Sequence, residues 1–222
     1  MVRHRSDGQG AGMSAPAAGA AEEKQFDHVD LASLSRADRY KMLTGAVIPR
    51  PIAFVTSMGP GGIVNAAPFS QFVILAVDPG LLGFSVGPRT GSDVAKDTLA
   101  NVQRAGEFVI NMVPEGWEQI VQQASEEYPP DVSEVDLLGF ATLPSRRIQT
   151  PRLAGSKIQF ECKLDQVLSF GDAPNHLVVG RIVDMHVAAG LAQNHKIDPR
   201  AYAPVARIGG RNYVRLGDIV EV

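Results

Sequence analysis

The sequence predicts a mainly β chain, an antiparallel sheet closed on itself and interrupted by helical insertions, and three observations point there. Short apolar segments recur between turn clusters such as Gly59-Pro60-Gly61-Gly62. Two long stretches, 157–169 and 176–188, alternate apolar positions (Phe160, Cys162, Leu164 and Val167, then Leu177, Val179, Ile182 and Val187) in the manner of barrel walls. Finally, 222 residues at 45% hydrophobic content fill one sizeable core and hardly two, and neither an internal repeat nor a domain-separating linker is present.

Taken in order, residues 1–27 read as a flexible low-complexity tail, because Ala and Gly bury too little surface to offset the entropy of ordering; residues 28–222 read as a single domain. Ser35 opens a short helix through Leu43 that Gly45 closes. Strands follow at 51–57, 62–66, 72–76 and 81–86. Ser92, Asp93 or Asp97 caps a helix that turns Val94, Leu99 and Val102 inward and stops at Gly106. After a strand at 108–112, Pro114 suits a helix start, with Trp117, Ile120, Val121 and Ala124 on one apolar face and Tyr128-Pro129-Pro130 as its end. A helical turn at 133–138 precedes Gly139, and Gly171-Asp172-Ala173-Pro174 joins the two long strands.

Composition excludes several function classes. A formal charge of −3 with scattered arginines gives no general attraction to nucleic acid. No segment has the unbroken apolar length that spans a bilayer, and the stretch after Arg3-His4-Arg5 lacks the greasy centre of an export signal. The single cysteine, Cys162, forms no internal disulfide and sits in an alternating stretch as a buried small residue, which favours a reducing, cytoplasmic setting. His28, His186 and His195 show no metal-ligand spacing with one another or with Cys162, so no metal is expected. Neither a Ser-His-Asp nor a His-Glu-x-x-His arrangement is found, and the Gly-x-Gly-x-x-Gly nucleotide fingerprint is missing.

The most informative stretch is 47–57, with Arg50 and Thr56 flanking its strand, followed after the glycine turn by Asn65-Ala66-Ala67-Pro68-Phe69-Ser70. Small and hydrogen-bonding residues stand where a core strand would carry bulk, which admits a flat ligand and reads the edge of a heteroaromatic ring. Together with Lys96-Asp97-Thr98-Leu99-Ala100-Asn101, Gly106-Glu107-Phe108-Val109-Ile110-Asn111, Phe160-Glu161-Cys162, Asn175-His176-Leu177-Val178-Val179-Gly180 and Gly209-Gly210-Arg211-Asn212-Tyr213, these segments resemble the flavin reductase-like family of FMN-binding split barrels, which includes flavoredoxin. In order and spacing the resemblance covers nearly everything from Tyr40 onward. It implies a six-stranded antiparallel split β-barrel of FMN-binding type and a homodimer with flavin near the subunit contact.

The resemblance also implies a set of site residues. Lys96 and Thr98 would meet the FMN phosphate; taken alone they read rather as an exposed helix face and a cap, and it is the family frame that reverses that preference. Asn65, Ala66, Ala67, Pro68 and Ser70 would line the ring, with Phe69 as core or as ring neighbour. Arg50 suits a phosphate or a pyrimidine carbonyl, or a surface ion pair, and Ser85 is a donor to ribityl or ring, or a strand-edge hydroxyl. His176 matches the histidine that opens the last long strand, where it would orient a nicotinamide or support negative charge, although Asp172-Ala173-Pro174-Asn175 departs from the shorter turn common in the family. Tyr202 would stack near the ring or simply pack, and the same two readings stay open for Arg207, Arg211 and Tyr213.

The implied function is an FMN-dependent NAD(P)H:flavin oxidoreductase whose reduced flavin serves a further acceptor, such as a monooxygenase; FAD in place of FMN stays open. A non-enzymatic FMN electron carrier and a direct oxidase of a small substrate such as a pyridoxine phosphate are the alternatives.

Overall fold

The computed structural model describes residues 26–89, 96–172 and 175–222. The expected tail and the caps Ser92 and Asp93 lie outside them, except for residues 26 and 27, as do Ala173 and Pro174 of the hairpin turn. The backbone groups into two units, Met1–Arg39 and Tyr40–Val222.

In the first unit the Asp30 carboxylate accepts from the Ala32 amide and caps a single 3-10 turn, Leu31–Ser33. The Arg39 guanidinium donates to the Leu31 and Leu34 carbonyls at 2.9 and 3.0 Å. Helix α1 (Arg36–Ala46) begins here: the Ser35 hydroxyl accepts from the Asp38 amide at 3.1 Å and donates to its carboxylate at 2.7 Å.

The second unit contains, in chain order, β1 (Arg50–Pro51), β2 (Ala53–Met58), β3 (Val64–Phe69), β4 (Phe72–Val77), β5 (Gly80–Val86), α2 (Asp97–Ala105), β6 (Glu107–Met112), α3 (Glu118–Gln123), α4 (Glu134–Leu137), β7 (Thr142–Leu143) and β8 (Arg152–Leu153). It continues through β9 (Ile158–Phe170), β10 (Asn175–Val187), β11 (Ala192–Gln193), β12 (Lys196–Ile197), α5 (Pro199–Tyr202), β13 (Val205–Gly209) and β14 (Asn212–Arg215). The main sheet is antiparallel, in the order β3-β2-β6-β9-β10-β5-β4, and so has seven strands where six are expected. It ends on β3 and β4, so hydrogen bonding leaves it split rather than closed. Smaller sheets join β1, β13 and β14, then β11 with β12 and β7 with β8.

β2 is apolar without alternation because both of its faces are covered. Ala53 and Val55 belong to one cluster with Phe84, Phe108, Cys162 and the α2 residues Leu99 and Val102, whereas Phe54 belongs to another with Ala66, Val113, Val121 and Leu153. Aromatic pairs tie the first cluster across the sheet, Phe69 to Phe84 at 4.9 Å and Phe84 to Phe108 at 5.4 Å. Burial pushes the Cys162 thiol up, which keeps it an inert packing group.

α2 stops as its sequence directs, with Gly106 at φ +69° and its amide returned to the Val102 carbonyl. α3 begins later than expected, at Glu118, because Pro114 instead pairs with Pro204 in an isolated bridge. Two buried glutamates on neighbouring strands organise the loop before β8. Glu161 accepts from the Arg146 and Arg147 amides at 2.8 and 2.7 Å, and Glu107 from those of Gln149 and Thr150 at 2.6 and 3.0 Å.

Candidate functional site

β3, the start of α2 and the short helix α4 meet at a cleft. α4 is seated on β3 through the Ser133 hydroxyl, which donates to the Val64 carbonyl at 2.7 Å and accepts from the Asp136 amide at 3.2 Å. β3 contributes Asn65 and Ala67, the α2 entrance Lys96, Asp97 and Thr98, and the segment after β5 Arg89; Ala124, Glu126, Glu127, Tyr128 and Glu134 complete the lining. Asn65, Ala67, Lys96 and Thr98, four of the residues singled out in the sequence, therefore converge here.

The polar groups of the cleft form a connected set. The Asn65 side-chain nitrogen donates to Glu134 Oε2 at 2.9 Å, and its oxygen accepts from Asn101 Nδ2 at 2.9 Å, which fixes the direction of the amide. The Ala66 amide also donates to Glu134 Oε2, at 3.2 Å. Arg89 pairs with Asp97 at 2.6 Å. The Lys96 ammonium stands 5.9 Å from the centre of the Phe69 ring; burial lowers its pKa, against the opposing pull of the Glu127 charge. Glu134 is 8% exposed, and its pKa is raised because burial outweighs the amides that donate to it, with the Asp97 charge adding to the rise. Thr98, in the first turn of α2, is 3% exposed. The Leu99 amide of that turn returns to the Lys96 carbonyl at 3.0 Å, and the positive end of a helix with a nearby ammonium is an anion-binding arrangement.

The other expected site residues stand elsewhere. Ala66 packs into the second core cluster and reaches the site only through its backbone amide, and Pro68 is half-buried opposite Phe54. Arg50 is buried and staples the end of α1, with Nη1 donating to the Thr44 carbonyl and, at 2.6 Å, to that of Val47; Nε reaches Ser70 Oγ at 3.4 Å. The Thr56 hydroxyl donates to the Pro151 carbonyl at 2.8 Å. The Ser85 amide donates to Gln71 O at 2.9 Å, and its neighbour Val86 faces His176 across the sheet. His176 Nδ1 lies 3.0 Å from Ser169 Oγ. Tyr202 does not line the cleft; its hydroxyl is buried without a hydrogen-bond partner among the described residues, and burial pushes its pKa up to about 12.

Sequence reasoning missed Arg89, Asn101, Asp97 as a charged lining group, Tyr128 and Glu134. Asn101 stands three residues after Thr98 in a stretch already singled out, so a helical projection could have found it; Glu134 has no local signal beyond its Ser133 cap. A second polar cluster also escapes a spacing argument. β9 and β10 bring ligand-type atoms of Glu161, Asp184 and His186 within 4.8 Å of one another, although the Glu161 oxygens already accept from His186 Nε2 at 2.6 Å and from two backbone amides.

Residues 44–205 match the family model described as flavin reductase like domain. The chain is 42% identical over 190 residues to an uncharacterised protein of Halalkalibacterium halodurans, which spans 84% of this chain and 90% of that protein. Among solved structures, nitrilotriacetate monooxygenase component B from Bacillus cereus superposes with a TM-score of 0.85 at 34% identity, over 89% of this chain and 99% of that one. The 2-nitrobenzoate 2-nitroreductase of Pseudomonas fluorescens gives 0.78 at 34% identity, over 88% and 95%.

Proposed function

The chain belongs to the flavin reductase-like family, and from that premise we propose that it is an FMN-dependent oxidoreductase that takes reducing equivalents from NADH or NADPH and passes them to a further acceptor. The observation that carries this reading is the convergence of Asn65, Ala67, Lys96 and Thr98 on one cleft at the entrance of α2. The donor set there fits FMN. An ammonium, a hydroxyl and first-turn amides suit a terminal phosphate, and a fixed carboxamide beside a small side chain suits the polar edge of a flat ring.

When bound, FMN supplies the redox chemistry, accepting a hydride equivalent and releasing electrons to the acceptor. The protein supplies position and field. Lys96 and Thr98 hold the phosphate, and Asn65 presents one amide orientation because Glu134 and Asn101 hold its two ends. His176, backed by Ser169, is assigned an orienting role toward the nicotinamide. The similarity to a monooxygenase component supports a protein acceptor, and the equally identical nitroreductase supports a second reading in which the acceptor is a small molecule. A cytoplasmic homodimer completes the proposal; the exposed apolar residues Val73, Ile74, Leu75 and Val77 of edge strand β4 support the association, and the single buried cysteine suits the reducing compartment.

Anaerobic titration of the FMN-loaded protein with each nucleotide tests this. Stoichiometric bleaching of the flavin absorbance by NADH or NADPH, faster than with free FMN, is expected. Failure to retain flavin, or indifference to both nucleotides, contradicts the proposal.

A further inference from the structure

The cleft that would receive a phosphate is crowded with acids. Two cations, Arg89 and Lys96, face Asp97, Glu126, Glu127 and Glu134, and Arg89 is already engaged by Asp97 at 2.6 Å. Glu134 is the carboxylate woven into the wall. It is 8% exposed, and its Oε2 accepts from the Asn65 carboxamide and the Ala66 amide, both neutral groups. Neutral donors stabilise a carboxylate less than a cation does, and they continue to serve Oε2 if a proton sits on the other oxygen.

We propose that Glu134 takes up a proton from solvent when a phosphate-bearing flavin enters the cleft, so that cofactor binding is coupled to pH through this side chain. The inference rests on the FMN reading and deepens it. A dianion seated on Lys96 and the α2 entrance engages the ammonium whose charge Glu127 and Glu134 otherwise share, and it adds like charge beside a poorly hydrated carboxylate. The groups facing Glu134 are Lys96 and Asp97 at the α2 entrance, Arg89 after β5, Glu126, Glu127 and Tyr128 after α3, and Asn65 on β3. Of the acids among them, Asp97 is paired with the Arg89 guanidinium, whereas Glu134 is 8% exposed and has neutral donors on Oε2, which makes it the acid that a neighbouring dianion disfavours most in its charged form. Because the bound state then holds the extra proton, FMN affinity rises as pH falls through the range between the free and bound pKa values of Glu134, and riboflavin, which lacks the phosphate, shows far less of this.

Calorimetric titration of FMN and of riboflavin into the whole chain tests the coupling. It is run in buffers of different ionisation enthalpy at pH values above the second ionisation of the phosphate, about 6. Proton uptake with FMN well in excess of that with riboflavin is expected. Glu134→Gln keeps an oxygen for Asn65 and Ala66; it should abolish the excess and tighten FMN by roughly tenfold for each unit by which binding raises the Glu134 pKa, with a much smaller change for riboflavin. Excess uptake that persists in Glu134→Gln assigns the proton to the phosphate or to Lys96 and overturns the inference, as does a wild-type protein that binds FMN without excess uptake. An infrared difference spectrum of the wild-type protein needs no variant. A new protonated-carboxyl band with FMN and not with riboflavin supports the assignment, and its absence contradicts it. A protein that binds neither flavin refutes the FMN reading itself, which is a different result from binding without coupling.

Discussion

Asn65 shows how a residue legible in the sequence acquires its chemistry from residues that are not. Its position after a glycine turn, ahead of two alanines, marks it as a ring-edge reader, yet the direction of its amide is set by Asn101 and by Glu134, 69 positions away. No local pattern carries a contact of that range. Asn65→Ala leaves the Asn101 amide only its longer bond to Ser57 Oγ at 3.4 Å and removes a donor from a buried carboxylate, so a loss of about 1–3 kcal/mol is expected in denaturant unfolding, together with weaker flavin binding. Tyr202 makes the opposite case. Its hydroxyl is buried without a partner among the described residues, so Tyr202→Phe should leave stability unchanged or raise it by up to about 1 kcal/mol in the same assay. A clear loss would show that the hydroxyl has work to do that the folded chain alone does not reveal.

At the scale of elements, the long strands were legible because alternation is local: β9 and β10 begin and end within one residue of the expected bounds. The late start of α3 was not legible, because a bridge to Pro204 decides the fate of Pro114. Nor was the clamp on the loop before β8, although Glu107 and Glu161 both lie in segments that carried the family resemblance. Burial alone would raise both carboxyls. The Lys163 ammonium with the Thr150 and Gln149 amides at Glu107, and the Arg146 amide, His186 and the Arg147 amide at Glu161, bring them below the ordinary value of 4.5 instead. The sign follows from linkage: their contribution to stability is complete above about pH 4.5 and is lost as pH falls through the depressed folded values. Hydrogen exchange at Arg146, Arg147, Gln149 and Thr150 should therefore lose protection on acidification before the β6 core does; protection lost in step with the core would contradict the clamp. β10 carries its own constraint at Gly180, where a methyl group would collide with the Phe108 ring and sit 3.0 Å from Cys162 Cβ. Gly180→Ala should cost about 1–3 kcal/mol in unfolding free energy through overpacking.

For the whole molecule, the antiparallel sheet and its helical insertions were readable from pattern and resemblance, whereas the count of seven strands and the split between β3 and β4 depend on pairings distant in the chain. The β4 edge is apolar and exposed, with Ile74 at 68% and Val77 at 88%, and an open apolar strand edge of this kind is a template for pairing with another chain. Sedimentation of the wild-type protein should show a dimer, and Ile74→Glu with Val77→Lys should yield monomer; a wild-type monomer would remove the dimer from the account. All of this turns on whether the cleft at the α2 entrance holds FMN by its phosphate. Flavin fluorescence titrations of the wild-type protein and Lys96→Ala with FMN and with riboflavin test it most directly. The substitution should weaken FMN by roughly tenfold or more, the scale of one charge-assisted contact, while riboflavin changes little; equal losses for the two ligands, or none for either, would rule out a phosphate seat at Lys96.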